Sequence, residues 1–513
     1  MNPNTPILVG VGQMMVAWDG SDPANAPSPA SLMHGSVARA LGDTGASHAV
    51  IADIDRIITV RTMLDSVPGA PQPFGRCANP PATLAAALGI EGASHIYSVV
   101  GGDQPQSLVN ECAAEIFAGN VRTVLIAGAE ATAAMKTALK RQILLDWSAS
   151  SEGAQDDRGL GPVLLSPYEI TNGLGAPTQT YPAFEHALRT RLRLSRDAHL
   201  QLMSELWAGF SEIAAANPYA QFRTARTAGY LATATAENYP VADPYLKWHV
   251  AQDAVNQGAA VVMTSVGRAT ALGIDPAKWI FLHGYSKATD RLVSERSDLS
   301  RSIAIELALG RALAVADITP DAVGYHDLYS CFPCAVLLAA EALGLDWRAR
   351  AATITGGLPF FGGAGNNYSM HAIAAMVEKL RADRAAYGLV LANGGFLSKE
   401  AVGIYSARPV ENWQPVSSAD IQQQIDQVTA PTLISENCSA MVETYTVTFA
   451  KGVASRGYVI ASNATGRVIA RVRSGDLETL AALQRQDMVG TQVSISHDGG
   501  INYFTLADQQ SSR

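Results

Sequence analysis

SVVGGDQPQSLVNECAAEIFAGNVRTVLIAGAE, residues 98–130, carries the fold in miniature. A glycine-rich turn runs into a helix whose apolar residues, Leu108, Val109, Cys112, Ala113, Ile116 and Phe117, recur at i, i+3 and i+4. Gly119 closes the helix, and 121–127 follows as a strand apolar on both faces, the pattern of a parallel sheet covered by helices. The plan returns in TGGLPFFGGAGNNYSMHAIAAMVEKLRADRAAYGLVLANGG, residues 355–395. There a second glycine-rich loop leads into a helix, and a buried strand over 388–392 ends in glycines. Two loop–helix–strand copies roughly 250 residues apart predict a duplicated α/β core with pseudo-twofold character.

Around these copies, the spacing predicts a strand over 7–11, a helix over 31–41 and a strand over 57–60. Residues 139–245 are too many for a loop and read as an inserted subdomain above the site, with helical pieces such as 199–214. Past Arg408 the character changes to a linker with a helix (413–427) and short strands over 442–449, 457–460, 468–472, 492–495 and 501–506. The expected segments are 1–138, 139–245, 246–408 and 409–513, the last a small open β-barrel of OB-like form.

Of the 513 residues 48% are hydrophobic and 16% charged, with a net charge of −9 that forms no block of like charge. This is the composition of a well-buried globular protein and argues against nucleic-acid partners. No basic residue precedes Arg39 and no apolar run reaches the ~20 residues of a membrane helix, so neither a signal peptide nor a membrane span is expected. Five cysteines do not make a disulfide framework, which predicts a reducing cytoplasm.

The words YPAFEHALR (181–189), VADPYLKWHVAQDAVNQGAAVVMTS (241–265), His326-Asp327 after a strand, TGGLPFFGGAGNNYSMHAIA (355–374) and LANGG (391–395) stand in an informative order. In that order the chain resembles the thiolase superfamily from Thr5 to about Arg408, in the arrangement of sterol-carrier-type thiolases. With its extra C-terminal domain it looks most like the thiolase-like type-1 proteins, commonly labelled acetyl-CoA acetyltransferases. The resemblance implies a five-layered α/β/α/β/α core, acyl-CoA or a β-keto acyl thioester as substrate, no covalently bound cofactor, no metal, and a homodimer paired through core strands.

It also implies a nucleophilic cysteine before the helix at 104–118, and counting back from Gly119 puts Asp103 there. A loop histidine is replaced by Gly363, and where a second cysteine is expected the chain reads Leu391-Ala392-Asn393-Gly394. Of the usual set only His326 remains, implied as an oxyanion-hole donor. Asp103 has two readings: a base or water-orienting carboxylate, or a helix cap boxed with Gln106 beside Pro105. Cys331, in Cys331-x-x-Cys334, is either a displaced nucleophile or a packed thiol; zinc would need a second pair. His371 either replaces the lost loop histidine or sits on a helix face. Asn366 and Asn367 are turn residues whose amides, with Gly363, Asn393 and Gly394, are the candidate substrate contacts. Gly10-Val11-Gly12 lacks the dinucleotide spacing.

The expected activity is that of a thiolase-like acyltransferase working by oxyanion or enolate stabilisation. The alternatives are a non-catalytic acyl-CoA-binding scaffold and a retro-aldolase-type C–C lyase component.

Overall fold

The computed structural model describes residues 1–506. Its strands are, in chain order, β1 (Pro6–Met15), β2 (Ile54–Thr59), β3 (Ser94–Tyr97), β4 (Thr123–Glu130), β5 (Asp156–Asp157), β6 (Pro240–Ala242), β7 (Tyr245–Leu246), β8 (Gln257–Ser265) and β9 (Ile280–Thr289). Then come β10 (Val323–Leu328), β11 (Tyr387–Gly394), β12 (Lys399–Ser406), β13 (Cys438–Ala450), β14 (Val453–Asn463), β15 (Gly466–Arg471), β16 (Gln492–Asp498) and β17 (Ile501–Leu506).

Ten strands join in the order β10-β11-β12-β9-β1-β8-β4-β2-β3-β5. The duplication is visible in this order. In each half two parallel strands (β2 and β4; β10 and β11) are followed by an antiparallel one (β8; β12) and then by the half's first strand (β1; β9). The halves meet through the short antiparallel pairing of β1 with β9 at Ile7–Phe281 and Leu8–Ile280.

Period-two alternation makes the five layers. On one face Ile7, Val9, Leu125 and Ala127 pack against the helix Pro29–Asp43. On the other face Leu8, Val124, Ile126, Val390 and Tyr405 enclose the two central helices, Gln104–Phe117 and Tyr368–Ala382. Beyond the C-terminal half, Leu389, Leu391, Val402 and Ile404 face the outer helices Ile303–Ala316 and Pro333–Leu343. A Cβ at Gly12 would run into the carbonyl of Ser36, and one at Gly284 into that of Ala312, so each half uses a strand glycine to bring its outer helix onto the sheet. This is the work of the Gly10-Val11-Gly12 word.

The C-terminal strands close a five-membered barrel, β13-β14-β15-β17-β16, sealed by the pairing of β16 with β13. A helix, Leu477–Arg485, lies between its third and fourth strands. Segment 139–245 serves both sheets: β5 extends the large sheet beside β3, whereas β6 and β7 attach to the barrel through Ala242 and Thr448. No helix among the described residues is long and apolar enough to cross a membrane.

Candidate functional site

The two central helices begin at the glycine-rich loops, and the loops lie against one another. Ser369 Oγ donates to the carbonyl of Gly102 (2.7 Å), and the N–H of Gly101 donates to Asn366 Oδ1 (3.1 Å). Asn366 Nδ2 in turn reaches the carbonyl of Arg61 (2.7 Å) and Ser66 Oγ (2.9 Å), so this asparagine ties three segments together. Asn367 Nδ2 donates to the carbonyl of Gly128 (2.7 Å), and its Oδ1 is buried without a partner.

Asp103 stands at the start of Gln104–Phe117, where counting from Gly119 put it, but it does not cap the helix: its side chain accepts no helix N–H. The expected box with Gln106 does not form, because the carboxylate turns across the cleft and Gln106 is engaged with Asn110 and Tyr405. Asp103 Oδ1 lies 3.3 Å from Lys399 Nζ, Oδ2 accepts from Gln104 Nε2 (2.8 Å), and the residue is only 5% exposed. Burial pushes its carboxyl above the ordinary range while the Lys399 ammonium pulls the other way. Lys399 also donates to the carbonyl of Val100. A Cβ at Gly394 would strike Asp103 Oδ1, so the end of β11 and the turn that begins at Gly395 form the far wall.

Tyr329, the first residue after β10, completes the cluster. A Cβ at Gly102 would collide with its hydroxyl, and burial, followed by the charges of Cys331 and Asp103, pushes that hydroxyl well above the usual tyrosine range. No hydrogen bond among the described residues uses this hydroxyl or the Gly102 N–H. Glu400, next to Lys399, is fully buried with both carboxyl oxygens unpartnered, and burial holds it well above the normal carboxylate range. Its burial without a hydrogen-bond partner is the kind of cost that functional sites carry.

Cys331 is buried, and burial pushes its thiol up to about 12, against the opposing effect of the Tyr181 hydroxyl. A thiol so placed is almost wholly protonated at neutral pH, which fits the packed reading. Tyr181 fastens the turn: its hydroxyl donates to the carbonyl of Gly395 (3.2 Å) and accepts from Leu397 N–H (3.1 Å) and Asn393 Nδ2 (3.3 Å). The helix that carries it, Pro177–Arg191, is gripped by the barrel, where Thr444 Oγ1 donates to the carbonyl of Ala183 (2.7 Å) and Tyr458 Oη to that of Gln179 (2.6 Å).

The structure does not bring His326 to this cluster. In β10 it pairs with Leu389, which faces the outer helices, whereas Asp327 pairs with Val390, which faces the central ones. The His-Asp word is therefore split across the sheet by strand alternation. Burial lowers His326 to about 4, and its Nδ1 has no partner. Asp327 holds the loop before the second central helix, accepting from Thr353, Ile354, Thr355 and Tyr368. His371 is buried against β1, its Nδ1 3.0 Å from Gln13 Oε1, and burial lowers it to about 3. The Gly363 N–H is spent on the carbonyl of Gln252 (2.7 Å) and that of Gly365 on Gly363 (2.8 Å), so this loop does not offer those donors to a ligand.

Sequence reasoning missed Lys399, Glu400, Tyr329 and Tyr181. The signal for the first two was Lys399-Glu400 opening an otherwise apolar strand. A groove of about 690 Å³ opens onto Asp103, Lys399 and Glu400 and is flanked by Lys287 and Arg158. Its size is that of a small-molecule site.

The family described as "Thiolase-like protein type 1 additional C-terminal domain" matches residues 420–500. No curated protein matches the chain. Among solved structures, the monomeric SCP2-thiolase-like protein type 1 from Mycobacterium smegmatis is 34% identical, with 99% of this chain and 100% of that chain covered and a TM-score of 0.83. The Ltp2-ChsH2(DUF35) aldolase is 18% identical (80% and 99% covered, TM-score 0.56), and the dimeric peroxisomal thiolase of Saccharomyces cerevisiae is 13% identical (79% and 98%, TM-score 0.57). These last two share the fold. Identity over essentially the full length of both chains, with the matching C-terminal domain, places this protein in the family of SCP2-thiolase-like type 1 proteins.

Proposed function

We propose that the protein binds an acyl-CoA or β-keto acyl thioester where Asp103, Tyr329 and the end of β11 at Asn393-Gly394 meet, and acts on it without an acyl-cysteine intermediate. The observation that carries this reading is the buried Asp103–Lys399 pair at the start of a central helix, at the position where the resemblance implies a cysteine. A carboxylate held beside an ammonium exchanges protons but does not form the stable thioester that a cysteine forms. The Tyr329 hydroxyl and the Gly102 N–H are the donors aimed at a developing oxyanion or enolate. This set suits cleavage or formation of a bond next to the thioester carbonyl. Lys287, at the rim of the groove, supplies positive charge for phosphate groups.

Purified protein is incubated with CoA and an acetoacetyl or aroylacetyl thioester, and the thioester absorbance is followed. Turnover that survives Cys331→Ser and collapses in Asp103→Asn supports the reading. A covalent acyl adduct on Cys331 sinks it.

A second reading, a non-catalytic acyl-CoA-binding scaffold, is favoured by the spent N–H groups of Gly363 and Gly365. It predicts CoA binding with no turnover on any acyl chain. For assembly, the pairing of β5 along β3 favours a monomer over a dimer built through that edge. The five unpaired thiols suit a reducing cytoplasm.

A further inference from the structure

Away from this cleft, between the starts of the helices Pro29–Asp43 and Pro80–Leu88, lies a partly open pocket of about 320 Å³. Its walls are mostly apolar, including Met33, Leu84, Met135 and Trp147. Two carboxyl groups, Asp65 and Glu130, stand in its lining. Asp65 is fully engaged: Arg76 Nε lies 2.9 Å from its Oδ1, and Tyr97 Oη donates to its Oδ2 (2.7 Å). Glu130 is different. It is 3% exposed, its Oε1 accepts the Met63 N–H (2.7 Å), and no cation among the described residues pairs with it. The glycine loop seals it from behind, since a Cβ at Gly365 would collide with Oε1. One carboxyl oxygen is thus left toward an apolar chamber in which the neighbouring cation, Arg76, is already committed.

We propose that this pocket is a binding site for a small apolar molecule bearing one primary amine, with the Glu130 carboxylate as the ion partner of the ammonium group. The apolar walls take the body of the ligand by burial, and Glu130, which has no cation of its own, selects an ammonium head. The buried charge of Glu130, costly when alone, is compensated when the ammonium arrives. Burial, joined by the charges of Asp65 and Asp253, raises Glu130 to about 8, so below that pH the carboxyl is protonated and must release its proton to the solvent as the ammonium binds; the lining also holds His34, Arg76 and Cys77. This site is independent of the acyl-thioester reading.

The full-length protein is titrated calorimetrically with 1-naphthalenemethylamine and with the isosteric 1-naphthalenemethanol at pH 6, 7, 8 and 9. The amine is expected to bind at least tenfold more tightly than the alcohol at pH 8. Its dissociation constant should fall about tenfold per pH unit up to pH 8 and then level off, with about one proton released per amine at pH 6. Glu130→Gln, which keeps an acceptor for Met63, should abolish both the preference and the pH slope. In the unsubstituted protein the amine should also shield Cys77, a thiol in the pocket wall, from iodoacetamide while leaving Cys438 unprotected. Equal binding of the alcohol, an affinity that falls as pH rises through 8, or unshielded Cys77 at millimolar amine overturns the proposal.

Discussion

The two central helices are counterparts by duplication, and their starts have been put to opposite uses. Before Tyr368–Ala382, the loop turns its polar groups inward: Gly363 and Gly365 donate to backbone carbonyls, and Asp327 binds the preceding threonine segment. Before Gln104–Phe117, Asp103 reaches across the cleft to Lys399, and the Tyr329 hydroxyl takes the space that a Cβ at Gly102 would fill. The Gly363 and Gly365 N–H groups are spent on backbone carbonyls, whereas the Gly102 N–H makes no hydrogen bond among the described residues. Duplication supplied two equivalent loop positions, and the proposed chemistry uses the N-terminal one.

Substitutions can break or sharpen this asymmetry. The largest effect is expected from Asp103→Asn, which removes the proton-exchanging group and should cost about 10²–10⁴ in turnover. Tyr329→Phe deletes one oxyanion donor and should cost about 10²–10³ in kcat with the fold intact by circular dichroism. Gly394→Ala places a methyl against Asp103 and should lower stability by about 1–3 kcal/mol, read by urea unfolding. His326→Asn, on the far face of the sheet, should change turnover less than threefold; a loss as deep as that of Asp103→Asn would return His326 to the site.

A separate effect concerns acid. His371 is depressed to about 3 from a usual value near 6.5, so its contribution to stability is full above pH 6.5 and is lost as the pH falls toward 3. His371→Gln should therefore flatten the stability profile between pH 6.5 and 4, and an unchanged slope would show that the imidazole is not buried.

Much of the fold was legible. The apolar stripe from Leu108 to Phe117 and the strand after Gly119 gave the central helix and β4 within a few residues, and alternation gave four of the barrel strands closely. The barrel helix Leu477–Arg485 was not read, because its apolar face is short and lies among strand signals. The site was only half legible. Position Asp103 followed from counting, and Gly394 from its neighbourhood. His326 misled because a motif word does not say which face of a strand each residue takes, and that depends on pairing with Leu389 some 60 residues away. Lys399 and Tyr329 were hidden because long-range packing, not spacing, brings them to Asp103.

The short strand β5 has a consequence for how this molecule meets its own copies. It lies along β3 with two exposed aspartates, Asp156 and Asp157, anchored by pairing of Asp157 with Arg61 and of Arg158 with Glu111. An open strand edge invites another chain to add on, and charged side chains are a common deterrent. Here the outermost strand presents acid, so two such edges brought face to face repel through like charge. Self-association along this sheet should therefore respond to ionic strength, rising as salt screens the carboxylates and as acid neutralises them.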